Sequence, residues 1–129
     1  MKYIEAMERR KFSRIEFSTK ALLETEKERF SARLKNIAYG GAYLISEKRP
    51  PLGKEILVRL FLSDLEPRIE LRFKAEVVRE GPDGFGVKFK SIDFSSLSHL
   101  RKILYYNLPD PDRAEKELKL LLGESLLEL

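Results

Sequence analysis

The sequence contains no cysteine. That excludes a disulfide framework, a thiolate nucleophile and a thiolate-held metal, and it fits a reducing compartment. It contains a single histidine, His99. A lone histidine on a predicted helix builds neither a Ser-His-Asp set nor a metal cluster. No apolar run approaches the roughly 18 residues that a membrane span needs. The stretch MKYIEAMERR carries acids and lacks an apolar segment, so no signal peptide is expected there. Internal repeats, low-complexity tracts and a Walker-type glycine loop are all missing. The expectation is a cytoplasmic protein without an enzymatic activity, a cofactor, a metal or a membrane contact of its own.

What is present suits one folded domain. Hydrophobic residues make up 43% of the 129, enough for a core, and the 36% that are charged provide a solvated surface. The net charge of +4 is too small to demand a generic nucleic-acid binder. Its distribution is uneven. Residues 1–20 hold six cations (Lys2, Arg9, Arg10, Lys11, Arg14 and Lys20) against Glu5, Glu8 and Glu16, a net of +3. Residues 110–129 reverse the sign, with six acids against three cations, a net of −3. The two ends therefore offer different surfaces to different partners.

Period-two alternation dominates from residue 14 onward. Ile15 and Phe17 share a face. Phe30, Ala32 and Leu34 point one way while Arg29, Ser31, Arg33 and Lys35 point the other. Residues 69–79 alternate most clearly, with Ile69, Leu71, Phe73, Ala75 and Val77 inward. Turn signals separate these runs: Asn36 to Gly41, then Pro50-Pro51-Leu52-Gly53, then Gly81-Pro82-Asp83-Gly84. In the last of these, glycine is expected at positive φ and proline at its fixed φ. Several short, one-sidedly alternating strands between turns predict an antiparallel barrel or sandwich. After Asp93 the period changes. Asp93, Ser95 or Ser96 caps a predicted helix through Tyr106, with Leu97, Leu100, Ile103 and Leu104 on its apolar side. Pro109 and Pro111 separate it from a second helix, about Asp112 to Leu122. There Ala114, Leu118, Leu121 and Leu122 form an apolar stripe. The stripe either packs back on the barrel or makes a homodimer or partner helix.

Two short segments carry the chemistry. The first is Arg9-Arg10-Lys11-Phe12-Ser13-Arg14. A guanidinium is a planar fork of donors that clamps a phosphate or a guanine edge with two bonds and stacks on a base. On its own, a basic loop is usually only a solvated one. The second is Asn36-Ile37-Ala38-Tyr39-Gly40-Gly41, which on its own reads as a glycine turn.

Together, in this order and spacing, they resemble the PilZ family of cyclic di-GMP receptors. Arg10 and Arg14 match its Arg-x-x-x-Arg motif, with Arg9 as the frequent extra arginine. Asn36 and Gly41 match its Asp/Asn-x-Ser-x-x-Gly motif. Ala75 to Arg79 and Gly84 to Phe89 look like the family's closing hairpin. The resemblance covers about residues 8 to 106. It implies a mainly β fold, a six-stranded antiparallel PilZ-like β-barrel with flanking C-terminal helices. Residues 1–8 would be a tail, 9–106 the barrel with its arginine arm and following helix, and 107–129 a C-terminal helical extension. It further implies that Arg10 and Arg14 grip guanine and phosphate, and that Arg9 adds charge or holds a second ligand molecule. Asn36, Ala38, Gly40 and Gly41 would form the barrel-surface side of the site. The ligand would be cyclic di-GMP, and closure of the arm on it would signal to an effector protein controlling motility, secretion or exopolysaccharide. Ala38 departs from the usual serine and forfeits a hydroxyl contact of about 1 kcal/mol. That substitution supports the alternative of a degenerate protein-interaction module that does not bind the nucleotide, for example in type IV pilus assembly. A third expectation is a small RNA-binding barrel that uses Tyr39 and Tyr43 as exposed aromatics.

Overall fold

The computed structural model describes residues 12–62, 69–123 and 127–128. Six antiparallel strands form the body: β1 (Ile15–Glu24), β2 (Arg29–Ile37), β3 (Gly41–Ile45), β4 (Glu55–Phe61), β5 (Glu70–Glu80) and β6 (Gly84–Asp93). They run in the order β3-β2-β1-β4-β5-β6, and pairing of β3 with β6 closes the sheet into a barrel. Closure leaves no open sheet edge along the paired strands. Two helices follow, α1 (Phe94–Asn107) and α2 (Pro111–Gly123). Beyond them Leu127–Glu128, β7, pairs parallel with Ile92 and Asp93 at the end of β6, past the reach of β3.

Local chemistry sets the turns. Between β1 and β2 the Thr25 hydroxyl accepts from the N–H groups of Lys27 and Glu28, at 3.3 and 3.2 Å. Such a side-chain bond mimics a backbone turn. Before β4, Lys54 N–H bonds the Pro51 carbonyl at 3.1 Å, and Gly53 takes φ +86° between them, a position that suits glycine. The β5–β6 turn closes with Gly81 N–H on the Gly84 carbonyl at 2.9 Å, and Arg49 donates to the Gly81 and Pro82 carbonyls. Neither Gly81 nor Gly84 has positive φ, contrary to expectation. Gly84 is needed instead because a Cβ there would strike the Leu44 carbonyl across the β3–β6 seam.

The inward faces supply the core. Leu23, Leu34, Leu44, Ile56, Leu60, Leu71, Phe85 and Phe89 are fully buried, as the alternation predicts. Helix α1 covers the barrel with Leu97, Leu100 and Leu104. Asp93 caps it by accepting from Ser96 N–H at 2.7 Å, and the Ser96 hydroxyl in turn accepts from Arg72 N–H at 2.8 Å, tying the helix start to β5. Helix α2 packs on α1. Ala114 and Leu121 enter the same core, and Arg101 of α1 holds Glu115 with two bonds of 3.0 and 3.1 Å. The C-terminal apolar stripe is therefore satisfied largely within the chain, although Leu120 and Leu122 stay exposed.

A β-bulge interrupts the β2–β3 ladder. Leu34 faces Leu44 and Asn36 faces Tyr43, so Lys35 is the extra residue. Strict alternation from Phe30, Ala32 and Leu34 would send Asn36 inward. The bulge shifts the phase, so that Ile37 is buried and Asn36 is half-buried beside Tyr43.

Candidate functional site

The β1–β2 register carries Arg14, the end of the first motif, and the second motif to one end of the barrel. Glu16 lies opposite Asn36 and Ile15 opposite Ile37. Arg14, exposed and one residue before β1, therefore enters the strand next to Ala38 in register. Arg9 and Arg10 lie outside the described residues. Ala38, Tyr39 and Gly40 form the tight link from β2 to β3, closed by Ala38 N–H on the Gly41 carbonyl at 2.8 Å. The Gly40 carbonyl accepts from Phe89 N–H at 3.0 Å, anchoring the turn to β6.

Phe12 of the arm lies directly on this turn. A Cβ on Gly40 would come within 2.6 Å of Phe12 Cδ2, so the ring occupies the space that a side chain would need. Its edge also meets Tyr39, with centroids 6.4 Å apart and planes at 67°. Gly41 is constrained differently. A Cβ there would run into the Val87 carbonyl of β6, so the absent side chain lets β3 approach β6 and close the barrel.

The residue between Phe12 and Arg14 is fixed from another direction. Ser13 donates its backbone N–H to Glu117 Oε1 and its hydroxyl to Glu117 Oε2, the latter at 2.8 Å. Glu117 belongs to α2 and is 4% exposed, and Arg113 one turn earlier approaches it at 3.4 Å.

Next to Asn36 the outer wall forms a cleft of about 370 Å³, bordered by Lys35, Tyr43 and Arg79 and by the Gly81–Asp83 turn. Lys35 Nζ and the Arg79 guanidinium stand 5.6 and 5.8 Å from the Tyr43 ring centroid. The Tyr43 hydroxyl donates to Asp83 at 2.7 Å. That bond holds the exposed Asp83 carboxyl below its ordinary range, while burial raises the Tyr43 phenol. The wall thus offers an amide and two cations that lie over the Tyr43 ring, with Glu80 and Asp83 at its rim.

The third expectation needs correction here. Tyr39 and Tyr43 are 0% and 7% exposed, so neither is a free stacking platform. Tyr43 points outward but is covered by cations from two other strands, and Tyr39 is buried below Phe12. Burial first, then the negative charge of Glu115, raises the Tyr39 phenol well above the usual tyrosine range. Lys35, Arg79, Phe12 and Glu117 were not among the expected site residues. Register brings the first two to Tyr43, from β2 and β5, and alternation alone carries no register. Glu117 did leave a signal: it falls between Ala114 and Leu121 at spacings of three and four, on the apolar stripe itself.

Arg14 and the Asn36–Gly41 turn thus share one end of a closed barrel, the arrangement that the known proteins can be set beside. The PilZ domain model matches residues 8–106, and the chain belongs to the PilZ domain family. This is a family of cyclic di-GMP receptor and adaptor domains without catalysis, and no catalytic family is indicated. Among solved structures, the inhibitor of motility MotI/DgrA of Bacillus subtilis superposes with a TM-score of 0.55 at 14% identity, over 91% of this chain and 51% of that one. The chain thus spans about half the length of that protein. The PilZ domain of CeSA from a cellulose-synthesizing bacterium gives a TM-score of 0.49 at 12% identity, over 88% of this chain and 98% of the other. At 14% identity the likeness to MotI/DgrA is one of fold. Among the described residues no helix is long and apolar enough to cross a membrane.

Proposed function

We propose that this chain is a cyclic di-GMP receptor acting as an adaptor domain. The observation that carries the reading is the seating of the arm on the second motif. Phe12 rests on Gly40, so the segment that begins with the arginines meets the Asn36–Gly41 turn at the barrel surface. A doubly anionic ligand offers what a cluster of like charges needs, a counter-charge that bridges its members. Arg10 and Arg14 clamp guanine and phosphate, with Arg9 adding charge. Asn36 contributes its amide from the bulged strand, and the turn through Ala38, Gly40 and Gly41 seats Phe12 and so sets the wall against which the ligand lies. Binding draws the arginines onto the ligand and reshapes this face, and the reshaped face is what an effector reads, with motility, secretion or exopolysaccharide as the output. The degenerate alternative is not favoured, since Asn36 and both glycines are retained in a well-formed turn.

Calorimetric titration with cyclic di-GMP, with GTP as control, tests the reading. Saturable binding of cyclic di-GMP alone is expected. Arg10→Ala and Arg14→Ala should each weaken it by about tenfold or more, the equivalent of one lost charge-assisted contact. No binding by the parent chain, or unchanged affinity in both variants, overturns it.

A further inference from the structure

Burying a carboxylate costs several kcal/mol unless its oxygens are matched. Among the described residues Glu117 is the one acid buried to this degree. Both its oxygens are taken by Ser13, and Arg113 supplies the counter-charge. Ser13 is not an arbitrary partner. It sits inside the spacer between Arg10 and Arg14, directly after the Phe12 ring that covers Gly40. Helix α2, which carries Glu117, begins at Pro111, beyond the 8–106 stretch that the PilZ model covers. The second motif meets the same helix pair. The fully buried Tyr39 phenol feels the charges of Glu115, Arg101 and Glu117 and has no hydrogen-bond partner among the described residues.

We infer that Glu117 is a positioning residue for the nucleotide site. It pins the arm at Ser13 against the Asn36–Gly41 turn before ligand arrives, and so couples the docking of α2 to ligand affinity. The inference rests on the receptor reading above. Its direction follows from where the arm is held. Phe12 already lies on Gly40, so the pin keeps the arm at the second motif rather than away from it. An unpinned arm spends only part of its time there, and apparent affinity falls by the fraction lost. Linkage is reciprocal: whatever loosens α2 weakens ligand binding, and bound ligand holds α2 more firmly.

The test compares Glu117→Gln, Ser13→Ala and the double variant with the parent, by calorimetry with cyclic di-GMP and by hydrogen exchange at the Ser13 amide without ligand. Glu117→Gln keeps the shape of the side chain and removes a buried charge, so the melting temperature should change little. Its dissociation constant should rise about tenfold, the scale of a lost bond to a charged group. The double variant should be no worse than the poorer single one, because Glu117→Gln already weakens both Ser13 bonds and Ser13→Ala removes one of the same two. Ser13→Thr, which keeps the hydroxyl, should restore most of the affinity, and Ser13 exchange should quicken in Glu117→Gln. If the parent binds and Glu117→Gln binds equally well or more tightly, the inference fails while the receptor reading stands. If the parent does not bind at all, both fail. Ser13→Ala, a change at the chain's arm rather than in its core, keeps the test decisive should Glu117→Gln fold poorly.

Discussion

Two adjacent glycines should behave oppositely when a methyl group is added. Gly41→Ala drives its Cβ into the Val87 carbonyl and to 3.2 Å from the Val87 carbonyl carbon, both backbone atoms of β6. Backbone inside a ladder cannot rotate away. Relief requires β3 and β6 to separate around the Gly41–Lys88 and Ala42–Val87 pairs, at the seam that closes the barrel. Overpacking of this kind costs about 1–3 kcal/mol, and each ladder bond lost adds about 1. A total of about 3 kcal/mol corresponds to roughly 12 °C in a domain of this size. Gly40→Ala meets only the Phe12 ring, a half-buried side chain that can swing aside. Gly40 does not have positive φ, so alanine also gains about 0.4–1 kcal/mol by restricting the unfolded chain. The net change should lie within about 1 kcal/mol, or some 4 °C. Thermal unfolding measures both, and titration with cyclic di-GMP should show weaker binding by a stable Gly40→Ala. The reasoning is refuted if Gly41→Ala melts within 4 °C of the parent, or if Gly40→Ala falls as far as Gly41→Ala.

Three further outcomes are expected. Ala38→Ser restores the hydroxyl usual in the family and should tighten cyclic di-GMP by about fivefold, roughly 1 kcal/mol; an unchanged dissociation constant would mean that position 38 makes no ligand contact. Tyr43→Phe removes the bond that lowers the Asp83 carboxyl, so Asp83 should titrate closer to its ordinary range by NMR. A lowered folded value gives stability that is complete above the ordinary carboxylate range and is lost as pH falls through the folded value, so the variant should lose that acid-side contribution. Tyr39→Phe deletes a buried hydroxyl without a partner among the described residues and should stabilise by about 1 kcal/mol. Because the folded phenol value is raised, the parent loses stability as pH climbs above about 10, at up to about 1.4 kcal/mol per pH unit per tyrosine, and the variant should be less steep.

The barrel was legible because its strands are one-sided. Leu71, Phe73, Ala75 and Val77 alternate with charge, and all four are buried as read. The helix after Asp93 was legible because a short polar side chain stands before an apolar run of helical period, and Asp93 does cap it. Places where one strand meets another were not legible, since a period of two names a face and never a partner. That is why Tyr43 read as exposed. Its covers, Lys35 and Arg79, arrive from β2 and β5, and neither adjacency is written along β3. The glycines were misread for a related reason. Those of the Gly81–Gly84 turn suggested positive φ and the Gly40–Gly41 pair a plain turn, both local properties, whereas Gly41 and Gly84 answer to carbonyls on a distant strand.

Asn36 and Glu117 sharpen the point, because each breaks a pattern that the rest of its element keeps. On β2, continued alternation would bury an amide in an apolar barrel, where an unpaired polar group costs on the order of 1–3 kcal/mol. A bulge at Lys35 removes that conflict and turns the amide to the outer wall. On α2, an acid occupies a place in the apolar stripe between Ala114 and Leu121, and no bulge can remove it from a helix face. The conflict is resolved by Ser13, a partner from elsewhere, with Arg113 one turn earlier as counter-charge. A polar residue at an apolar position is thus a forecast of a contact, although the partner's identity waits on the fold. Both exceptions lead to the same end of the barrel, where the arm meets the turn.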